Sequence, residues 1–254
     1  MTHKAPVKKK RDDQDIARPS NWLVAAAILY VALALTVDTL AVQQIRWPFD
    51  WSVFQWSPES CWRLFGMTPP GWATSSPVSR IDMFKLIFWF IVPFAICLPR
   101  MAWRWLSPQD WKRSDWLLLV GFIGLGSIAV ISVGFIPALR NAYPGMSHLS
   151  SDIRRGYSIG YLLWVVSWLP GWEFLHRYLL LRVVMRRFPR YGWLLIPAFE
   201  TLYHLQKPLL EAGGMLVFSL LLTGWSVKRR NALLPFIAHL YVEIALLVAL
   251  VFFL

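Results

Sequence analysis

From Trp22 to Val42 the chain carries a single charged side chain, Asp38. An α-helix rises about 1.5 Å per residue and the hydrocarbon core of a bilayer is about 30 Å thick, so about 20 apolar residues make one crossing. Blocks of this kind recur at 22–42, 83–99, 116–138, 158–181, 191–206, 214–227 and 232–254. They predict an all-α fold, a polytopic helical membrane protein with about seven transmembrane helices. Composition agrees: 57% of residues are hydrophobic, 16 are Trp and only 16% are charged. A soluble domain of this length has no use for so much apolar surface.

The chain divides by character rather than by linkers. Residues 1–20 are polar and mixed in charge, and are expected to form a disordered basic cytoplasmic tail. Residues 21–157 read as an N-terminal transmembrane scaffold, in which the first span is a retained signal anchor. The long segment 43–82 holds Trp47, Trp51, Trp56, Trp62 and Trp72, and indole rings favour the membrane interface. Ser79 with Asp82, and Ser107-Pro108-Gln109-Asp110, read as the starts of the second and third spans. Residues 158–254 form a third unit, where ionisable side chains enter the spans.

The formal net charge of +12 does not point to nucleic acid. Most of the 26 Lys and Arg precede the first span or lie at 100–113, 182–190 and 228–230, all on one side of the predicted topology. The positive-inside rule makes that side, with the N-terminus, cytoplasmic and sets Leu254 near the far side. The partner these charges imply is the lipid bilayer, through anionic headgroups. Cys61 and Cys97 fall on opposite sides, so no disulfide is expected between them.

Function is concentrated in three i,i+4 pairs within the last third: Glu173 with Arg177, Glu200 with His204, and His239 with Glu243. Each pair shares one helix face. A charge at the bilayer centre costs about 2.5–3.5 kcal/mol on the gentlest scale, so these groups must face one another or a wet cavity. Counting helix rise from the predicted span ends sets Glu173, Glu200 and His239 at one depth, roughly 12–13 Å from the interface. Taken singly, each pair would be an intrahelical ion pair or a helix-contact histidine. Three at one level hold the parts needed for hydrolysis: carboxylates and imidazoles as bases towards water, and an arginine to orient them. Glu200, His204, His239 and Glu243 are also zinc-ligand types, although a Glu–His pair needs no metal.

The three motifs, in order, resemble those of the CPBP family of intramembrane proteases, which includes the type II CAAX prenyl endopeptidases (the Abi family). Its first motif, E-E-x-x-x-R, is matched by Trp172-Glu173-Phe174-Leu175-His176-Arg177 at the second Glu and the Arg. Its second, F-x-x-x-H, is matched by Glu200-Thr201-Leu202-Tyr203-His204 at the His. Its third, H-x-x-x-N or D, is matched by His239-Leu240-Tyr241-Val242-Glu243 at the His, with a larger acid at its end. The resemblance covers about 90 residues and implies a CPBP-like catalytic core at 158–254. The implied activity is endopeptidase cleavage of a membrane-anchored protein or peptide substrate, without a required cofactor. Glu173 or Glu200, with His204, would activate water. His239, aided by Glu243, would stabilise the oxyanion, and Arg177 would position Glu173.

Two departures matter. Trp172 stands where the family has its usual general base, and Glu200 stands where it has Phe. Either Glu200 or Glu173 supplies the missing carboxylate, or the chain is a catalytically inactive scaffold that binds a membrane-anchored partner. Acid–histidine chains also serve proton-coupled transporters, but the expected symmetry between two halves is absent from the sequence.

Overall fold

Long apolar runs wind into helices because a helix satisfies its backbone internally. The structure, a computed structural model, is accordingly mostly helical over the residues it describes, 19–42, 55–56, 59, 62–63, 66–69 and 81–254. The expected tail at 1–20 and the Trp-rich loop at 43–82 fall almost wholly outside them.

Helix α1 spans Asn21–Val42. A short antiparallel pairing of β1 (Gln55–Trp56) with β2 (Ile81–Asp82) is the one sheet among the described residues. Asp82 caps the next helix, its Oδ1 accepting the Lys85 N–H at 3.0 Å. That helix, α2, is π-helical over Lys85–Ile91 and α-helical over Val92–Cys97.

Helix α3, Arg113–Val133, begins later than the Ser107–Asp110 signal predicts. Asp110 is held by Arg104, and Asp115 instead reaches back to accept the Lys112 N–H at 2.7 Å. Pro137 opens a short separate helix, α4 (Pro137–Ala142), so the third predicted span ends early. Helix α5 runs from Ser151 to Glu173, continues as a π-helix over Phe174–Leu180 and ends as an α-helix over Leu181–Arg187. It outruns the predicted 158–181 at both ends. Helix α6, Leu195–His204, has ten residues. At about 15 Å it covers half a bilayer core, where 191–206 was expected to form a span. Helices α7 (Leu209–Arg229) and α8 (Leu233–Phe252) close the chain.

Four of these helices, α1, α3, α7 and α8, are long and apolar enough to cross a membrane. The other predicted spans are not of that kind: α2 and α6 are shorter, and α5 is less apolar, with Gly, Ser, Tyr and Trp through residues 156–173.

Helix α5 is the core of the bundle, with Trp172, Leu175, Tyr178, Leu180 and Leu181 buried. Its approach to α2 depends on Gly171, where an added Cβ would lie 2.8 Å from Trp89 Cβ and 2.9 Å from the Trp89 carbonyl carbon. Helix α3 meets α8 as closely at Gly126, whose Cβ would lie 2.8 Å from Val242 Cγ2.

The segments expected on one membrane face meet at one end of the bundle. Arg187 donates to Asn21 Oδ1 at 2.7 Å, Asn231 to the Ser107 carbonyl at 2.7 Å, and the Ala232 N–H to the Trp105 carbonyl at 2.8 Å. At the other end the Met146 N–H donates to the Leu250 carbonyl at 2.7 Å, and Arg154 reaches the Val251 carbonyl.

Candidate functional site

Pro170 interrupts the hydrogen-bond ladder of α5, and four residues later the helix widens. The Leu181 N–H bonds to the His176 carbonyl, five residues back, so the π-segment encloses Arg177. Such widened turns recur at functional sites. A similar one in α2, where the Val92 N–H meets the Ile87 carbonyl, carries Trp89 against it.

Five of the six expected residues form one continuous chain of contacts. Arg177 Nη1 donates to Glu173 Oε2 at 2.7 Å, and Nη2 donates to Glu200 Oε2 at 2.8 Å. The other Glu173 oxygen, Oε1, lies 2.8 Å from His239 Nδ1. His239 Nε2 is 3.9 Å from Glu243 Oε1, an ion-pair separation rather than a hydrogen bond. Tyr161 donates to Glu243 Oε2 at 2.6 Å. Arg177 and Glu200 are wholly buried, so their pairing is obligatory: an unpaired ion there would cost several kcal/mol.

The sixth residue, His204, bonds through Nδ1 to the Glu200 carbonyl at 2.7 Å. A carbonyl only accepts, so Nδ1 carries the proton and Nε2 of the neutral ring is an acceptor. His239 follows the same rule when Glu173 is ionised, again leaving Nε2 as acceptor.

A cavity of about 460 Å³ opens beside this chain. His204, His239 and Glu243 line it; Glu173, Arg177 and Glu200 do not. Of the two carboxylates offered for the one missing at Trp172, Glu200 is turned to Arg177 and Glu173 bridges Arg177 and His239, while Trp172 itself is part of the cavity wall. The four zinc-ligand types, Glu200, His204, His239 and Glu243, are likewise not grouped as a metal site. Among the described residues, no group of three or more His, Cys, Asp and Glu side chains is placed to hold a metal ion. Glu200 is committed to Arg177 instead.

Several lining residues lay outside the sequence-predicted set. One face of α5 contributes Tyr157, Tyr161, Trp164, Trp168 and Trp172 at spacings of three and four, a stripe visible in the sequence. Tyr143 joins Lys207 and Glu211 at the wall, its hydroxyl donating to Glu211 at 2.8 Å. Asp82 and Lys85 come from the supposed scaffold. Lys85 Nζ lies 3.3 Å from both Asp82 and Asp38, and Tyr203 donates to Asp38 at 2.5 Å. His176 is a neighbour, as expected, wholly buried with Nδ1 on the Trp172 carbonyl at 2.9 Å.

No family model matches this chain, and no curated protein or solved structure does so.

Proposed function

We propose that this chain is a multi-pass integral membrane hydrolase that cleaves a peptide bond of a membrane-associated protein. One observation carries the reading: the relay Arg177–Glu173–His239, which ends on an imidazole nitrogen at the wall of a cavity. A carboxylate on Nδ1 fixes the tautomer of a histidine and stabilises the imidazolium it becomes. Glu173 does this for His239, and Arg177 keeps Glu173 ionised and oriented.

The roles follow from position. His239 Nε2, with His204 Nε2 as a second acceptor, holds and deprotonates water. The hydroxide attacks the peptide carbonyl carbon, and the proton taken by His239 passes to the leaving amine. Glu243, held by Tyr161, faces the imidazolium and stabilises it. Glu173 and Arg177 are positioning residues here, and Glu200 neutralises Arg177. General-base assistance of this kind contributes about 10²–10⁴-fold. The likeness of the three motifs to the CPBP family supports the peptidase class.

For topology, the reading takes about seven passes through the bilayer, with α6 reaching mid-depth and the N-terminus cytoplasmic. It is supported by the contacts among 19–21, 103–107, 187 and 229–232 at the basic end of the bundle.

The second reading is a non-catalytic scaffold that holds a membrane-anchored partner. It is favoured by Trp172 in the cavity wall and by Glu200 being bound to Arg177. Mapping of protein termini in host membranes separates the two, using wild type, His239→Ala, His204→Ala and Glu173→Gln at equal expression. Termini lost in His239→Ala and depleted in Glu173→Gln are expected. Identical termini in all four strains would leave only the scaffold.

A further inference from the structure

Every fully buried carboxylate among the described residues is paired with a Lys or Arg. Asp38 and Asp82 share Lys85, Asp115 holds Arg229, and Glu173 and Glu200 enclose Arg177. The two half-buried carboxylates of the cavity wall, Glu211 and Glu243, break that pattern. Neither forms an ion pair with a Lys or Arg among the described residues, and Glu243 has the His239 imidazole at 3.9 Å. Each is held instead by a hydroxyl: Tyr143 donates to Glu211 at 2.8 Å and Tyr161 to Glu243 at 2.6 Å. A hydroxyl orients a carboxylate without neutralising it, and a charge left so within a membrane protein marks a functional site. Glu243 is open to a ligand, with 14% of its side-chain surface accessible.

The adjoining wall suits a cation. Aromatic side chains form half of the described cavity lining, and Leu246 is the one aliphatic residue in it. Trp164 lies 5.5 Å from Tyr161 and 5.3 Å from Trp168, centroid to centroid, at tilts of 58° and 53°, so the three rings form a curved surface. Tyr161 and Trp164 are half-buried and keep accessible area. Aromatic faces attract ammonium and guanidinium groups, and this wall already takes two: Lys207 Nζ stands 5.3 Å over Tyr143 and Lys85 Nζ 5.1 Å over Trp89. Among the described residues none stands over Tyr161, Trp164 or Trp168.

We infer that Tyr161, Trp164 and Glu243, with the charge of Glu211 acting through space, bind the positively charged side chain of a substrate lysine or arginine. This deepens the hydrolase reading and rests on it for the cation being part of a peptide. Tyr161 takes one of about four lone-pair sites on the Glu243 carboxylate, so acceptors remain for the cation. Because Glu243 adjoins His239, the basic residue falls beside the bond under attack, within about two residues at about 3.3 Å per residue.

The test is calorimetric titration of the full chain in dodecyl maltoside, an uncharged detergent. N-acetyl-Leu-Lys-Leu amide is compared with its norleucine analogue, which keeps the side-chain length and lacks the ammonium. The Lys peptide is expected to bind about tenfold tighter. Glu211→Gln and Trp164→Leu should each cut that ratio at least threefold while leaving the affinity for the norleucine peptide unchanged, which shows that the cavity is intact. A ratio near one, or no binding of either peptide, overturns the proposal. So does a ratio that survives both substitutions. Dihexanoylphosphatidylcholine that displaces the Lys peptide and binds as tightly would assign the wall to a lipid headgroup and overturn the peptide occupant. Cleavage is read separately by the terminus mapping. A Lys preference with unchanged termini would sink the hydrolase reading alone, and lost termini without a Lys preference would sink the cation site alone.

Discussion

Arg177 sits between two carboxylates with no exposed surface, and its value lies in charge balance more than in attraction. Arg177→Met would leave Glu173 and Glu200 buried together without a counter-ion. The expected loss is about 3–5 kcal/mol of stability, seen as a lower unfolding midpoint in detergent or nanodiscs. Adding Glu200→Gln to Arg177→Met should recover part of that loss, because one of the stranded charges is removed; a purely additive double variant would refute the coupling. At the cavity wall the effect is different in kind. Tyr161→Phe removes the hydroxyl that donates to Glu243 while leaving the ring in place, so unfolding should shift by only about 1.5–3 kcal/mol. Loss of the substrate-derived termini should exceed what that shift explains, since Glu243 would no longer be held opposite His239. The sequence gathers Glu173, Glu200 and His239 by helix counting but does not say which of them would touch, and the Glu173–His239 contact at 2.8 Å was not foreseen. Nor was the turn of Glu200 to Arg177, because an i,i+4 interval fixes a helix face and says nothing of rotation relative to the next helix.

At the scale of elements, two glycines in helical settings are expected to behave oppositely. Gly171→Ala would drive a methyl group against the Trp89 backbone of α2, which cannot move aside as a flexible side chain can. It should cost about 1–3 kcal/mol and separate Trp89 from Trp172. Gly213→Ala in α7 meets no atom within 4 Å and should stabilise by about 0.4–1 kcal/mol. Thermal unfolding of the two variants against wild type checks both signs, and a neutral Gly171→Ala would mean that α2 and α5 are not so close. Element boundaries were read less well than element existence. The start of α3 was misplaced because Asp110, which looked like a capping acid, is bound to Arg104. The length of α6 was overestimated mainly at its start, where Tyr191, Trp193 and Leu194 continue the apolar run but Gly192–Leu194 form a tighter turn before the helix. Lys85 and Lys207, which lie near the ends of predicted spans, both line the cavity. The Tyr and Trp stripe of α5 was present in the sequence at helical spacing, but a scan for ionisable groups passes over hydroxyl and indole donors.

For the whole molecule, the distribution of charge and the contacts at the two ends of the bundle bear on the same question from independent directions. Basic residues sorted by span parity predict that 100–113, 182–190 and 228–230 share one side with the N-terminus. In the folded chain the Arg187–Asn21, Asn231–Ser107 and Arg229–Asp115 contacts join segments from that same set. Contacts of Met146 and Arg154 with the end of α8 join segments assigned to the other side. Charge counts do not know about hydrogen bonds, so their agreement supports the proposed topology, in which an odd number of passes separates each basic segment from the 143–154 region. Labelling tests it. With Cys61 and Cys97 replaced by Ser, a single cysteine at Arg190 should react with a membrane-impermeant maleimide only in inside-out vesicles. One at Ser150 should react only in right-side-out vesicles. Reaction of both from the same face would overturn the topology, and with it the placing of Glu173, Glu200 and His239 at one depth by counting from a shared basic face.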